Sequence, residues 1–161
     1  DGRVLGAQAL GEDAPAVDKR ISALAVAMQL GATIYDLEEA ELCYAPQFGS
    51  AKDAVNFAGM VAADVLDGEM PLAHWESAEG AFLLDVRQPL ELVVETVPGA
   101  VNIPLPQLRA RLAELPRDRE ILVICRSGGR AYFATRILLQ NGFKARTLSG
   151  GMLARAMLAI A

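Results

Sequence analysis

The chain has 161 residues, 53% hydrophobic and 22% charged, with a formal net charge of −5. That length fills one ordinary domain or two small ones, and the composition is that of a globular protein able to close a core. The acidic balance argues against a general nucleic-acid binder, no apolar run nears the ~20 residues of a membrane span, and no secretory signal opens the chain.

The chain begins at Asp1 rather than Met, which suggests a fragment or a processed product. Two distant cysteines, Cys43 and Cys125, and the single His74 form neither a disulfide framework nor a metal-ligand spacing. No metal is expected, and a reducing cytoplasm is the expected location. Charge is uneven: residues 1–67 hold 4 basic and 11 acidic side chains, residues 68–161 hold 11 basic and 9 acidic. The asymmetry supports two units with different roles, parted near Asp67-Gly68-Glu69-Met70-Pro71, where a helical pattern meets glycine and proline.

The first unit opens with a strand-like Arg3 to Leu10 and a Gly11-Glu12-Asp13 turn. An amphipathic helix over about Ala16 to Leu30 follows, with Ile21, Leu24, Ala25, Met28 and Leu30 as its apolar stripe and Gly31 as its stop. Thr33 to Leu42 reads as strand and short helix, and a second long helix spans about Ala51 to Leu66. With one clear strand the unit cannot form a sheet alone. It is read as a partial α+β domain whose partners lie upstream or on another chain.

The second unit alternates strands and helices. Strands are predicted at Ala81 to Val86, Ala100 to Ile103, Ile121 to Ile124 and Lys144 to Leu148. Helical segments are predicted at Leu105 to Leu115 (with Leu105, Leu108 and Leu112 on one face), Ala131 to Gln140 and Met152 to Ala161, and Gln88 to Val94 is expected to be helical or turn-like. This alternation predicts an α/β fold, a parallel sheet with helices on both faces, and functional groups at the carboxyl ends of its strands.

Cys125 stands at such an end, in Ile-Leu-Val-Ile-Cys-Arg-Ser-Gly-Gly-Arg (121–130). Backbone N–H groups at a helix start and nearby cationic side chains both favour a thiolate. Gly128 and Gly129 let the backbone curl so that several amides face one point, and Arg126 and Arg130 add positive charge. Which arginine points inward cannot be read from the sequence. The other reading, a buried structural cysteine, explains the two arginines and two glycines poorly.

Residues 70–161 resemble a single-domain rhodanese, a sulfurtransferase. The matching pieces are Leu83-Leu84-Asp85-Val86-Arg87, Pro98-Gly99-Ala100-Val101-Asn102-Ile103-Pro104-Leu105, the Cys-x-x-x-x-Arg loop from Cys125 to Arg130, and Leu148-Ser149-Gly150-Gly151. The resemblance implies that Cys125 is the catalytic persulfide carrier, that Arg126, Ser127, Gly128, Gly129 and Arg130 cradle it, and that small sulfur compounds are the substrates. Asp85 and Arg87 are supporting residues, read as a structural ion pair. Related phosphatases use a loop one residue longer, so four intervening residues suit a terminal sulfur better than a phosphate. Two stretches depart from the pattern: Glu95-Thr96-Val97 replaces the common Gly-His-Ile, and Ala131 stands where Ser or Thr often follows the closing arginine.

Residues 1–67 resemble the carboxyl half of the dimerisation domain of flavin-dependent pyridine nucleotide-disulfide reductases, and in particular coenzyme A-disulfide reductases fused to a rhodanese. The segments concerned are Gly2-Arg3-Val4-Leu5-Gly6-Ala7-Gln8, Val17-Asp18-Lys19-Arg20-Ile21, Tyr35-Asp36-Leu37-Glu38 and, above all, residues 42–53 around Leu42-Cys43-Tyr44-Ala45-Pro46. His74-Trp75 also fits the fused type. The resemblance implies a homodimer, a missing N-terminal flavin domain, and FAD, NAD(P)H and CoA as ligands of the full-length parent. It makes Tyr44 a candidate for the partner subunit's active site; the alternative is an aromatic packing residue beside Pro46. Cys43 is read as a small buried residue. No Gly-x-Gly-x-x-Gly follows a strand, so this chain is expected to bind no cofactor itself.

Three functions follow. The first is a sulfurtransferase that moves sulfane sulfur from thiosulfate, polysulfide or persulfide through Cys125 to a thiol. The second is a piece of a CoA-disulfide or persulfide reductase in which the rhodanese part only binds or delivers substrate. The third is a silent dimerisation or interaction module.

Overall fold

The computed structural model describes residues 1–11 and 14–158. The expected turn at Glu12-Asp13 and the last three residues of the expected final helix lie outside them. The chain separates into two compact units, Asp1–Gly68 and Glu69–Ala161. Among the described residues no helix is long and apolar enough to cross a membrane.

Among its described residues the first unit contains three helices: α1 (Ala14–Gln29), α2 (Ile34–Glu39) and α3 (Ala54–Leu66). Each short-range signal is used. Thr33 and Asp36 form a reciprocal capping box at the start of α2, and Asp53 and Asn56 form another at α3. Gly59 lets α3 lie directly on α2, since a Cβ there would sit 2.4 Å from the Glu38 nitrogen. Buried Asn56 donates from Nδ2 to the carbonyls of Leu37, Glu38 and Ala40, satisfying the open end of α2. The strand expected over Arg3 to Leu10 is absent. Only a single antiparallel bridge joins Arg3 to Thr33, and Leu5 and Leu10 are exposed. Among the described residues no second strand receives the later backbone groups, and without a ladder the segment stays irregular. The expected stripe of α1 is half-buried at Ile21, Leu24 and Met28, whereas Ala25 and Leu30 are exposed.

The second unit is a five-stranded parallel sheet flanked by helices. Its strands are β1 (Leu72–Ala73), β2 (Phe82–Asp85), β3 (Val101–Asn102), β4 (Ile121–Ile124) and β5 (Ala145–Leu148). They lie in the order β1-β5-β4-β2-β3. Central β4 pairs on one side with β2, Leu84 opposite Val123, and on the other with β5, Val123 opposite Thr147. Alternation along β4 divides its side chains between two cores. Ile121, Val123 and Cys125 join the cluster containing Leu84, Ile103, Leu108 and Leu138, while Leu122 and Ile124 join Ala73, Leu148 and Met152. All four residues of β4 are 0% exposed, and burying each contributes about 1.5–3 kcal/mol. This explains why the strand reads as an unbroken apolar run.

The helices are α4 (Pro89–Leu92), α5 (Gly129–Gln140) and α6 (Gly151–Leu158). One expectation fails in type. Leu105 to Leu115 is not an α-helix but two 3-10 turns, Leu105–Ala110 and Leu112–Glu114. Pro106 has no N–H to donate, and Gln107, Arg111, Glu114 and Leu115 each donate to the carbonyl three residues back. The apolar face survives, with Leu108 buried and Leu105 and Leu112 packed against the core.

Candidate active site

Because all five strands are parallel, their carboxyl ends share one edge of the sheet, where open α/β folds place their sites. Five segments leave from it: His74 onward after β1, Val86 to α4 after β2, Ile103 to Leu105 after β3, Cys125 to Arg130 after β4, and Ser149 to Gly151 after β5.

Cys125 is 1% exposed and continues the inward-facing side of β4. Its Sγ accepts the backbone N–H of Gly128 at 3.1 Å. That amide can be aimed back at the sulfur because Gly128 turns the chain at φ +116°, a conformation L side chains rarely adopt. The Gly128 carbonyl then accepts from Tyr132 at 2.8 Å, starting α5. The loop therefore sits at a helix N-terminus, and a donor amide facing sulfur stabilises negative charge there. Ser127 is exposed, as is Gly129.

The two loop arginines part company. Arg126 is exposed. Arg130 is half-buried and forms a two-point ion pair with Glu91 of α4, Nη1 to Oε2 at 2.5 Å and Nη2 to Oε1 at 2.7 Å. The Arg130 guanidinium holds the Glu91 carboxyl well below its usual range, at about 2, and in turn Glu91, more than the Cys125 sulfur, keeps Arg130 firmly protonated.

The far side of the loop is tied to α6. The amides of Met152 and Leu153 donate to the carbonyls of Cys125 and Arg126, both at 3.0 Å. Gly151 makes this approach possible. It has φ +55°, and a Cβ on it would lie 2.4 Å from the Cys125 oxygen. The Trp75 indole N–H donates to the Gly151 carbonyl at 3.0 Å, fastening that turn from the β1 side.

Asp85 and Arg87 make a buried ion pair, Nη2 to Oδ2 at 2.7 Å, with the Arg87 amide and Nε also donating to Asp85. Asn102 of β3 donates to the carbonyls of Asp85 and Arg87, and Arg87 donates to the Glu95 carbonyl. Removing one member would strand a buried charge, at a cost of about 3–5 kcal/mol.

Two residues of the first unit differ from expectation or stand apart. Cys43 is exposed, not buried, because residues 41–53 carry no regular structure before α3 and bury little of their surface. Tyr44 is 55% exposed. Sequence reasoning also missed Glu91 and the Trp75 contact. A Gln88-Pro89-x-Glu91 pattern signals a helix start in which Glu91 returns to cap the Gln88 amide, and it does so at 2.9 Å. Nothing local signals that the same carboxylate also receives Arg130, thirty-nine residues on.

Residues 71–156 match the rhodanese-like domain family. A sulfurtransferase of Allochromatium vinosum is 34% identical over 92 residues, which cover 56% of this chain and 86% of that protein. The putative sulfurtransferase YtwF of Bacillus subtilis is 35% identical over 79 residues, 49% of this chain and 77% of that protein. Among solved structures, reduced Bacillus anthracis CoADR-RHD aligns with a TM-score of 0.81 at 40% identity, covering 84% of this chain and 25% of that one. An NAD-dependent persulfide reductase from A. fulgidus aligns with a TM-score of 0.77 at 38% identity, covering 89% of this chain and 26% of that one. This chain thus spans about a quarter of the length of those two structures. The chain belongs to the rhodanese-like domain family, and its relatives named sulfurtransferases support sulfur transfer as its general chemistry and a sulfurtransferase type of enzyme.

Proposed function

We propose that this rhodanese-like chain carries sulfane sulfur on Cys125 and passes it to a thiol. The observation that supports this best is the Sγ held at the carboxyl end of β4 against the Gly128 amide, inside a four-residue loop ending at Arg130. In the first half-reaction the Cys125 thiolate attacks the outer sulfur of thiosulfate. A bond from Sγ to that sulfur forms, the old S–S bond breaks, and sulfite leaves with its electron pair. In the second, an acceptor thiolate attacks the terminal sulfur of the Cys125 persulfide, forming the acceptor's persulfide and returning the cysteine thiolate. Polysulfides and other persulfides serve as donors by the same displacement, with a shorter polysulfide anion leaving from the former and a thiolate from the latter. No oxidant or metal enters the balance.

The test is thiosulfate-dependent sulfur transfer by Cys125→Ser, with intact-mass analysis of the wild-type chain after thiosulfate treatment. The expected results are complete loss of transfer in the variant and one added sulfur atom on the wild type. Transfer unchanged by Cys125→Ser refutes the mechanism. A wild type that takes up no sulfur favours a silent interaction module.

A second reading concerns the parent polypeptide. The two reductase structures cover 84% and 89% of this chain, more than residues 71–156 alone supply, so the likeness extends into the first unit. We infer that residues 1–67 are part of a reductase dimerisation domain, that Tyr44 serves a partner subunit's site, and that the parent also carries FAD-, NAD(P)H- and CoA-binding parts in the cytoplasm. This chain's own residues do not fit a dinucleotide, having no glycine-rich turn of the required spacing after a strand. Coding sequence upstream of Asp1 that lacks such a fingerprint would sink this second reading.

A further inference from the structure

Arg130 ends the Cys125 loop, yet its guanidinium is committed to a carboxylate from another element. Glu91 is itself fixed, because Oε2 also accepts the Gln88 amide at 2.9 Å. The segment beyond Glu91 is pinned by two more arginines. Arg87 donates to the Glu95 carbonyl at 3.0 Å, and Arg155 of α6 reaches Glu95 Oε1 at 3.3 Å and the Thr96 carbonyl at 3.4 Å. Residues 88–96 therefore make a firm post beside the loop. Arg130 also feels the charge of Cys125, though less than that of Glu91. An arginine near a sulfur anion with no other partner would pair with it; here that partner is Glu91.

We propose that Glu91 is a positioning residue for the sulfur-carrying loop. It holds Arg130 as a charge-compensated brace at the end of the loop and prevents it from pairing with Cys125. Exposed Arg126 is left as the loop's open cation for an incoming anionic donor. The proposal rests on Cys125 being the sulfur carrier. The Glu91 carboxyl, held at about 2 chiefly by Arg130, is an anion wherever thiols react, so the brace does not switch with pH in that range.

The experiment follows the pH dependence of Cys125 alkylation by iodoacetamide in the full chain. Cys43→Ser serves as background, because exposed Cys43 would react as well. The titratable and charged groups on the elements around the loop include Arg126 and Arg130, Tyr132 and Arg136 of α5, Asp85 at the end of β2 and Arg87 just after it, Glu91 and Glu95, Arg109 after β3, Arg155 on α6 and His74 after β1. Glu91→Gln leaves Arg130 uncompensated, so the alkylation midpoint falls by about half a pH unit. Arg130→Gln leaves Glu91 uncompensated, and the midpoint rises by a similar amount. The double variant removes both charges, so the two opposite shifts cancel to within about 0.2 unit of the background.

Melting temperatures are read alongside. An ion pair that only braces the fold lowers the melting temperature of Glu91→Gln and leaves the midpoint in place, which overturns the proposal. So does a double variant that keeps a single variant's shift. Alkylation needs no sulfur donor, so the two readings fail separately. A chain that shows the shifts but loads no sulfur refutes the sulfurtransferase reading. One that loads sulfur without the shifts refutes the role of Glu91.

Discussion

The two units treat apolar surface differently. In residues 69–161, β4 is apolar along its whole length and buried on both faces, and two side-chain clusters close above and below the sheet. In residues 1–68, α3 is nearly as apolar, with Asp64 its only charged residue, yet Phe57, Val61 and Val65 remain 55%, 44% and 36% exposed. Those three recur every fourth residue and form one stripe. The opposite face, Val55, Asn56, Gly59 and Ala63, is buried. The contrast extends to the cysteines: Cys125 is buried in the closed unit and Cys43 is exposed in the open one. A parallel sheet has two faces and carries its own helices to cover both. A short helical unit without a sheet covers only part of its apolar surface.

Breaking the closed unit should have the largest effect. Gly151→Ala puts a Cβ against the Cys125 carbonyl and forces φ +55° on a side-chain-bearing residue. The expected loss is about 2–4 kcal/mol of stability, seen as a lower melting temperature, with a matching fall in sulfur transfer. A variant as stable and active as the parent would show that α6 does not brace the loop.

The open unit should respond in association rather than stability. Phe57→Glu with Val61→Glu charges the exposed stripe. We expect the unsubstituted chain to self-associate and the variant to be monomeric by light scattering, with stability within about 0.5 kcal/mol per site. An unsubstituted chain that is monomeric at high concentration counts against the expected homodimer.

The smallest effect is set by acid. The Glu91 carboxyl lies near 2 in the folded chain against an ordinary 4.5. Its contribution is therefore complete above about pH 4.5 and is lost as pH falls through about 2. Both side chains are about one-third exposed, so solvent screening limits the contribution to about 1 kcal/mol. Denaturant melts between pH 5 and 2.5 should show an acid slope that Glu91→Gln reduces.

Much of the second unit was legible from local pattern. The apolar runs marked β2, β4 and β5 to within a residue or two, and the glycines and arginines after Cys125 marked the turn into α5. Length misled twice. Two-residue β1 is too short to carry a periodic signal, and 105–115 has a helical spacing of leucines that 3-10 turns serve as well once Pro106 has removed an amide. In the first unit, Arg3 to Leu10 has the composition of a strand but, among the described residues, pairs only through the single bridge from Arg3 to Thr33.

The sequence by itself determined the nucleophile candidate, the length of its loop and the parallel α/β frame, because these depend on neighbours in the chain and on side-chain alternation. Tertiary structure alone decided which arginine stays open and which is clamped, that Glu91 does the clamping, and that Trp75 and Gly151 hold the loop from behind. Those contacts join residues thirty-nine and seventy-six positions apart. An arginine's charge is written in its codon, but the carboxylate that neutralises it is chosen by which strand ends the sheet brings to one edge.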